Sequence, residues 1–282
     1  MKRILTIQDI SCLGKCSLTI ALPVISAMGV ETVILPTAVL STHTMFKNFT
    51  CKDMTDQLLP IAEHWKSEGV TFDAIYTGYL GSSEQMEIVK QIFNMFKEED
   101  TQIFIDPVMA DHGKLYPAFD ETYVRYNADL CGCADIIVPN LTEACFMTGM
   151  EYKEVYDEAY ILELLHGLAK LGARIVVLTG VSLQEGKTGV YGYNTETGKT
   201  FHYQNSRVDA AYHGTGDIFS SVSVGALVQG LSLQDAFQVA ADYTALTIET
   251  TLKNPKKPWY GVDFEKTIPN LIKMLQEKKA SS

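Results

Sequence analysis

Short unbroken apolar runs alternate along the chain with longer stretches whose apolar residues recur at helical spacing. Residues 3–8 read as a strand. Residues 18–28 follow as a helix, bent or started late by Pro23 and stopped at Gly29. Residues 31–35 form the next strand, and 55–67 a helix with Leu58, Leu59, Ala62 and Trp65 on one face. A strand over 74–77 leads to a helix over 83–97, with Ser83 as its cap. Residues 103–105 and 136–138 are short, wholly apolar strands. A helix over 156–171 ends at Gly172, and 174–179 is a further buried strand. Residues 190–193 and 200–203 flank a polar turn as a hairpin, and helices over 215–228, 233–250 and 264–277 close the chain. The last residues, 278–282, are polar and expected to fray.

Wholly apolar strands alternating with helices imply an α/β fold with a mostly parallel sheet covered on both faces. The length of 282 residues and the lack of any linker or repeat fit one α/β domain over residues 1–282. The strands run out into Gln8-Asp9, Thr77-Gly78-Tyr79, Asp106-Pro107, Pro139-Asn140 and Thr179-Gly180. Ligands of open α/β sheets bind beyond the carboxyl ends of the strands, so these five exits point to one shared cleft.

Composition narrows the function classes. Apolar residues make up 46% and charged residues 20%, as in an ordinary globule. No stretch reaches the roughly 18 apolar residues of a membrane span, and the apolar run after Lys2-Arg3 is too short for a secretion signal. A cytoplasmic protein is expected. A net charge of −11 argues against a broad nucleic-acid surface, though not against a nucleotide site. The six cysteines form no C-x-x-C pair and lack histidines at zinc spacing, so reduced thiols are expected rather than a zinc site.

The strongest chemical signal is His213-Gly214-Thr215-Gly216-Asp217, directly before a helix. Two glycines permit a tight turn and close backbone approach, and the helix start offers unpaired N–H groups and a positive dipole end. Together these make an anion hole for a phosphate. Asp217, in the first turn, is placed to accept a proton from an attacking hydroxyl. The competing account is that Thr215 caps the helix and Asp217 only complements its dipole.

Gly-Thr-Gly-Asp on a late helix is similar to the catalytic signature of the ribokinase-like superfamily. Ile7-Gln8, Leu40-Ser41-Thr42-His43-Thr44, Thr77-Gly78-Tyr79-Leu80-Gly81, Asp106-Pro107-Val108-Met109 and Pro139-Asn140-Leu141-Thr142-Glu143 resemble, in order and spacing, segments of the pyridoxal kinases within it. The resemblance implies ATP-dependent phosphorylation of the 5′-hydroxymethyl group of a vitamin B6 vitamer. Asp217 would be the base, with the amides of Gly214, Thr215 and Gly216 around the transferring phosphoryl group. Asp106 and Glu143 would organise Mg²⁺, and K⁺ is a further expected ion. Asn140 and Thr179 would line the triphosphate channel, with Asp111 beside it and Tyr116 in a flap over ATP. Thr44 and Tyr79 would touch the pyridine ring. The resemblance also implies a homodimer.

One position departs from the pattern. Asp9 stands where many pyridoxal kinases have Ser. It either pairs with a donor on a B6 vitamer, such as a protonated ring nitrogen, or marks another substrate, or caps the next turn. A hydroxymethylpyrimidine kinase is the nearest rival, although those enzymes commonly carry Cys where Asp217 stands. A sugar or nucleoside kinase, and a non-catalytic binder of B6 or nucleotide, complete the alternatives. Gly180 to Thr188 looks like a P-loop but has five residues between its glycines and a strand after it, so a hairpin loop at the cleft edge is expected. His43 is either a binding or a structural residue, His213 precedes the anion hole, and Lys15 is free to approach a phosphate. Cys12 and Cys16 are expected to be bystander thiols.

Overall fold

The structure is a computed structural model that describes residues 1–210 and 212–281. Eleven strands and nine helices follow one another among these residues. They are β1 (Arg3–Leu13), α1 (Leu18–Ala27), β2 (Glu31–Thr42), β3 (Cys51–Asp53), α2 (Thr55–Ser67), β4 (Ala74–Thr77) and α3 (Ser83–Phe96). Then come β5 (Gln102–Ile105), β6 (Ala110–Asp111), β7 (Lys114–Leu115), α4 (Glu121–Cys131), β8 (Ile136–Ile137), α5 (Leu141–Thr148) and α6 (Glu158–Ala169). The chain ends with β9 (Ile175–Val181), β10 (Lys187–Asn194), β11 (Lys199–Ser206), α7 (Thr215–Val228), α8 (Leu233–Lys253) and α9 (Phe264–Ser281).

Nine strands make one sheet in the order β11-β10-β9-β8-β5-β4-β1-β2-β3. The six from β9 to β2 are parallel, and antiparallel strands flank them on both sides. Successive side chains of the central strands alternate between two cores. Leu5, Ile7, Ile75, Ile103, Ile105, Ile137 and Val176 pack with residues of α2 to α6. Ile4, Ala74, Tyr76, Phe104, Ile136, Ile175 and Val177 pack with residues of α1, α7, α8 and α9. Burial on both faces is why these strands read as continuous apolar runs.

Several elements differ from the sequence expectation. Pro23 lies inside α1, which starts at Leu18 and is not delayed by it. Ser82, not Ser83, caps α3, its hydroxyl accepting from the Gln85 amide at 3.2 Å. Helices α4 and α5 were not expected. The first hides its buried face behind Tyr123 and Asn127, and the second is eight residues long and mostly buried. The C-terminal tail is helical through Ser281, and Ser282 lies outside the described residues. The strand over 31–35 extends to Thr42 because β3 pairs with its far end.

Candidate active site

The carboxyl ends of β5, β8 and β9 and the start of α7 surround a cleft of about 440 Å³. It is lined by Asp106, Asp111, Tyr116, Asn140, Glu143, Thr179 and residues 213–217. Ten of the sequence-derived site residues therefore meet here, from separate chain segments beyond the strand ends, as the parallel topology demands.

Gly214 is the N-cap of α7, with φ +84°, a left-handed conformation that favours glycine. A side chain there would also collide with the backbone, because a Cβ would stand 2.0 Å from the Lys15 carbonyl oxygen. A Cβ on Gly216 would instead meet nothing within 4 Å. The first intrahelical bond joins the Ile218 amide to the Gly214 carbonyl at 3.1 Å, so the amides of Thr215, Gly216 and Asp217 belong to the unpaired first turn. Thr215 does not cap the helix; its hydroxyl donates to the Tyr212 carbonyl at 3.2 Å. Burial pushes the Asp217 carboxyl up to about 7; the Ser17 amide opposes this, and the charges of Asp106 and Asp9 add to it.

Asp106 and Glu143 form a second acidic centre. Asp106 accepts from the Ser220 hydroxyl at 2.7 Å. Glu143 completes a capping box with Asn140: the Asn140 amide donates to Oε2 at 2.9 Å and the Asn140 side chain accepts from the Glu143 amide. Its other oxygen accepts from the Met109 amide at 3.1 Å. Burial raises both carboxyls, and for Glu143 the neighbouring Asp106 raises it further. Four carboxylates line the cleft, yet no Lys or Arg is found among its described lining residues. A polyphosphate entering this field needs a cation with it. Among the described residues no group of three or more His, Cys, Asp or Glu is arranged to hold a metal alone. The carboxylate oxygens of Asp106 and Glu143 are donors that would suit a hard ion such as Mg²⁺.

Above the cleft, β6 and β7 form the flap. His112 and Gly113 turn it at φ +50° and +74°, and the Gly113 amide donates to the Thr142 hydroxyl at 3.0 Å. Asn140 holds its root by donating to the Ala110 carbonyl at 2.8 Å. Asp111 is paired with His112 at 2.9 Å. Tyr116 is partly exposed, and burial of its hydroxyl end beside Glu143, Asp111, Asp106 and Asp217 raises its phenol.

Asp9, Thr44 and Tyr79 do not line this cleft. Asp9 is buried within β1, just past the part of that strand paired with β4, and lies within electrostatic reach of Asp217 and Tyr79. Thr44 stands exposed, and its neighbour His43 is the buried one. The His43 ring packs 4.5 Å from that of His213, and its Nε2 meets the Tyr260 carbonyl at 3.0 Å. Lys15 does not line the cleft and is engaged in ion pairs to Glu265 at 2.7 Å and Asp263 at 3.7 Å. Cys12 is exposed and Cys16 buried; burial, with Asp217 and Asp9 nearby, drives the Cys16 thiol up and keeps it un-ionised. The Gly180–Thr188 segment is no P-loop, because Lys187 and Thr188 begin a strand, and Thr188 and Gly189 edge the cleft.

One wall was missed from the sequence. Ala241, Thr244, Ala245 and Ile248 of α8 line the cleft opposite the flap side strands. Their spacing of three and four residues is the one-face signal of a helix.

An anion-binding helix start carrying a half-buried carboxylate, facing an acidic pair at parallel strand ends, defines a small-molecule kinase of the ribokinase-like superfamily. The chain belongs to the phosphomethylpyrimidine kinase family, whose profile matches residues 21–259. It is similar to a candidate phosphomethylpyrimidine kinase from Bacteroides thetaiotaomicron, at 38% identity and a TM-score of 0.92 over 96% of this chain and 93% of that one. An orthorhombic crystal form of the Bacteroides protein with pyridoxal superposes at a TM-score of 0.90 and 38% identity, over 96% of this chain and 95% of that one. Pyridoxal kinase from Lactobacillus plantarum superposes with a TM-score of 0.89 at 29% identity, over 98% and 99% of the two chains. A pyridoxine/pyridoxal/pyridoxamine kinase of Bordetella avium is 28% identical over 262 residues, 88% of this chain and 85% of the relative. Among the described residues no helix is long and apolar enough to cross a membrane.

Proposed function

We propose that this kinase transfers the γ-phosphoryl group of ATP to the 5′-hydroxymethyl group of pyridoxal, pyridoxine or pyridoxamine. The observation that carries the reading is Asp217. It is a half-buried carboxylate whose desolvation raises its proton affinity to about 7, in the first turn of a helix whose amides face the cleft. A base poised near neutral pH beside an anion hole is what transfer from a triphosphate to an alcohol requires. The relatives named for B6 vitamers supply the acceptor.

In this reading Asp217 takes the proton of the vitamer's hydroxymethyl group as its oxygen attacks phosphorus. The amides of Gly214, Thr215, Gly216 and Asp217 hold the developing charge on the transferring group. Asn140 and Thr179, adjoining across a β-bridge, line the path of the triphosphate, and Asp111 and Tyr116 close it from the flap. Asp106 and Glu143 would hold Mg²⁺, which would supply the positive charge that this acidic cleft lacks. The alanine and threonine face of α8 takes the nucleobase. Tyr79, Thr44 and Asp9 would face the vitamer, with His43 closing that end.

The test is the site of transfer. With ATP, Mg²⁺ and pyridoxine, the product's phosphorus signal should couple to the two protons of the 5′-methylene. Coupling to another position, or hydrolysis of ATP with no organic phosphate, contradicts the proposal.

A further inference from the structure

At the α8 wall of the cleft, two side chains present lone pairs and withhold their hydrogens. β11 pairs with β10 so that Asn205 stands opposite Thr188, and both residues line the cleft. Tyr203, two residues earlier, shares the strand face of Asn205. Asp242 of α8, next to the lining residue Ala241, takes hydrogen bonds from both. The Tyr203 hydroxyl stands 2.8 and 3.0 Å from its two oxygens, and the Asn205 side-chain amide donates to Oδ1 at 3.3 Å. Burial, and then the bond to Asp242, push the Tyr203 phenol up to about 12, so its hydrogen stays committed to the carboxylate.

Asp242 thereby decides which way the Asn205 amide faces. A carboxylate only accepts, so the NH₂ end of Asn205 turns to Asp242 and its oxygen turns away, toward the cleft that the residue lines. Among the described residues no donor meets that oxygen. Thr244 has the same polarity. Its hydroxyl hydrogen goes to the Ala240 carbonyl at 2.8 Å, so toward the cleft it too only accepts. The hydroxyls of Thr188, Ser206 and Tyr212 also line the cleft, but each serves as donor or acceptor and so does not discriminate.

We propose that Asn205 is a specificity-determining residue for the nucleotide and Asp242 its positioning residue: the fixed amide oxygen accepts from a 6-amino group and selects an adenine nucleotide against one with a 6-keto oxygen. This deepens the kinase reading and rests on its placement of the nucleobase against α8. Adenine presents an amino donor where guanine and hypoxanthine present a carbonyl. That carbonyl would face lone pairs, and a ligand that leaves polar groups unpaired is rejected more strongly than one that merely lacks a bond.

The experiment is calorimetric binding of ADP, IDP and the diphosphate of purine riboside, which has hydrogen in place of the 6-amino group, all with saturating Mg²⁺. Wild type should bind ADP about 3- to 10-fold more tightly than the purine riboside diphosphate, the loss of one hydrogen bond, and about 10- to 100-fold more tightly than IDP. In Asn205→Ala, ADP should weaken until both preferences collapse. Asp242→Asn keeps the shape and an acceptor for Tyr203 but lets the Asn205 amide turn over and donate to a keto oxygen. IDP should therefore tighten in that variant while ADP holds, a change of ratio that lost packing alone would not produce. Thermal melting confirms that each variant is folded. Equal affinity of wild type for ADP and IDP overturns the proposal, as does an undiminished preference in folded Asn205→Ala. Equal weakening of both nucleotides in Asp242→Asn overturns its positioning role. No acceptor is present in these measurements, so a wild type that phosphorylates no pyridine would overturn the B6 reading and leave this result to stand or fall separately.

Discussion

At the scale of single residues the decisive group is Asp217, and its environment makes two separable claims. As a base it must lose its proton, and burial sets that event at about 7. Below that pH kcat/KM for the vitamer should fall about tenfold per unit, with an acid limb near neutrality. Asp217→Asn should lower kcat by about 10²- to 10⁴-fold while leaving nucleotide affinity within a few-fold. Steady-state rates and an ADP titration check both, and wild-type turnover in the variant contradicts the assignment. The second claim concerns stability. The folded, ligand-free protein keeps this proton up to about 7, whereas an unfolded Asp releases it near about 4. The folded state thus binds more protons between those values, and its stability falls as pH rises through that window. Asp217→Asn removes the penalty, so it should melt above wild type at pH 8 and close to it at pH 4.

At the scale of elements the two glycines of the α7 start do different work, and the structure separates them. Gly214→Ala forces a left-handed φ on alanine and drives a Cβ into the Lys15 carbonyl. It should destabilise the fold by about 1–3 kcal/mol or more, seen as a lowered melting temperature. Gly216→Ala meets no protein atom. It should melt like wild type yet weaken ATP binding and turnover, because the methyl group would occupy the space a phosphate needs. A variant at Gly216 that binds ATP normally would show that the phosphates do not approach this turn. The helix start was legible in the sequence because glycine spacing and a following helix are local signals. The sheet was legible for the same reason, since strands buried on both faces announce themselves as apolar runs. The flap strands, α4, α5 and the α8 wall were not. Two-residue strands carry no periodicity, α4 buries Tyr123 and Asn127 where a pattern expects aliphatic residues, and the α8 lining is an ordinary alanine and threonine face until α7 and β10 are set against it.

At the scale of the whole molecule the cleft is defined by charge. The chain carries a net charge of −11, and four carboxylates line the cleft with no described Lys or Arg beside them. ATP alone should therefore bind poorly, and Mg²⁺ should strengthen it by much more than tenfold; removal with a chelator should abolish turnover and restore it on readdition. Binding of metal-free ATP as tight as that of its magnesium complex would contradict this account of the site. The carboxylates converge only through three-dimensional packing. Asp106 ends β5, Glu143 sits in the capping box of α5, and Asp217 opens α7. Their residue types and family order could be read from the chain, but the Ser220 bond to Asp106, the Ser17 link between Asp9 and Asp217 and the diversion of Lys15 to Glu265 join residues whose spacing carries no sequence signal. The most direct test of the central claim is a side-by-side assay of pyridoxal, pyridoxine, pyridoxamine and hydroxymethylpyrimidine with ATP, Mg²⁺ and K⁺, each product followed by mass. The account predicts monophosphate from at least one B6 vitamer at far higher kcat/KM than from the pyrimidine; product from the pyrimidine alone, or from none of the four, would contradict it.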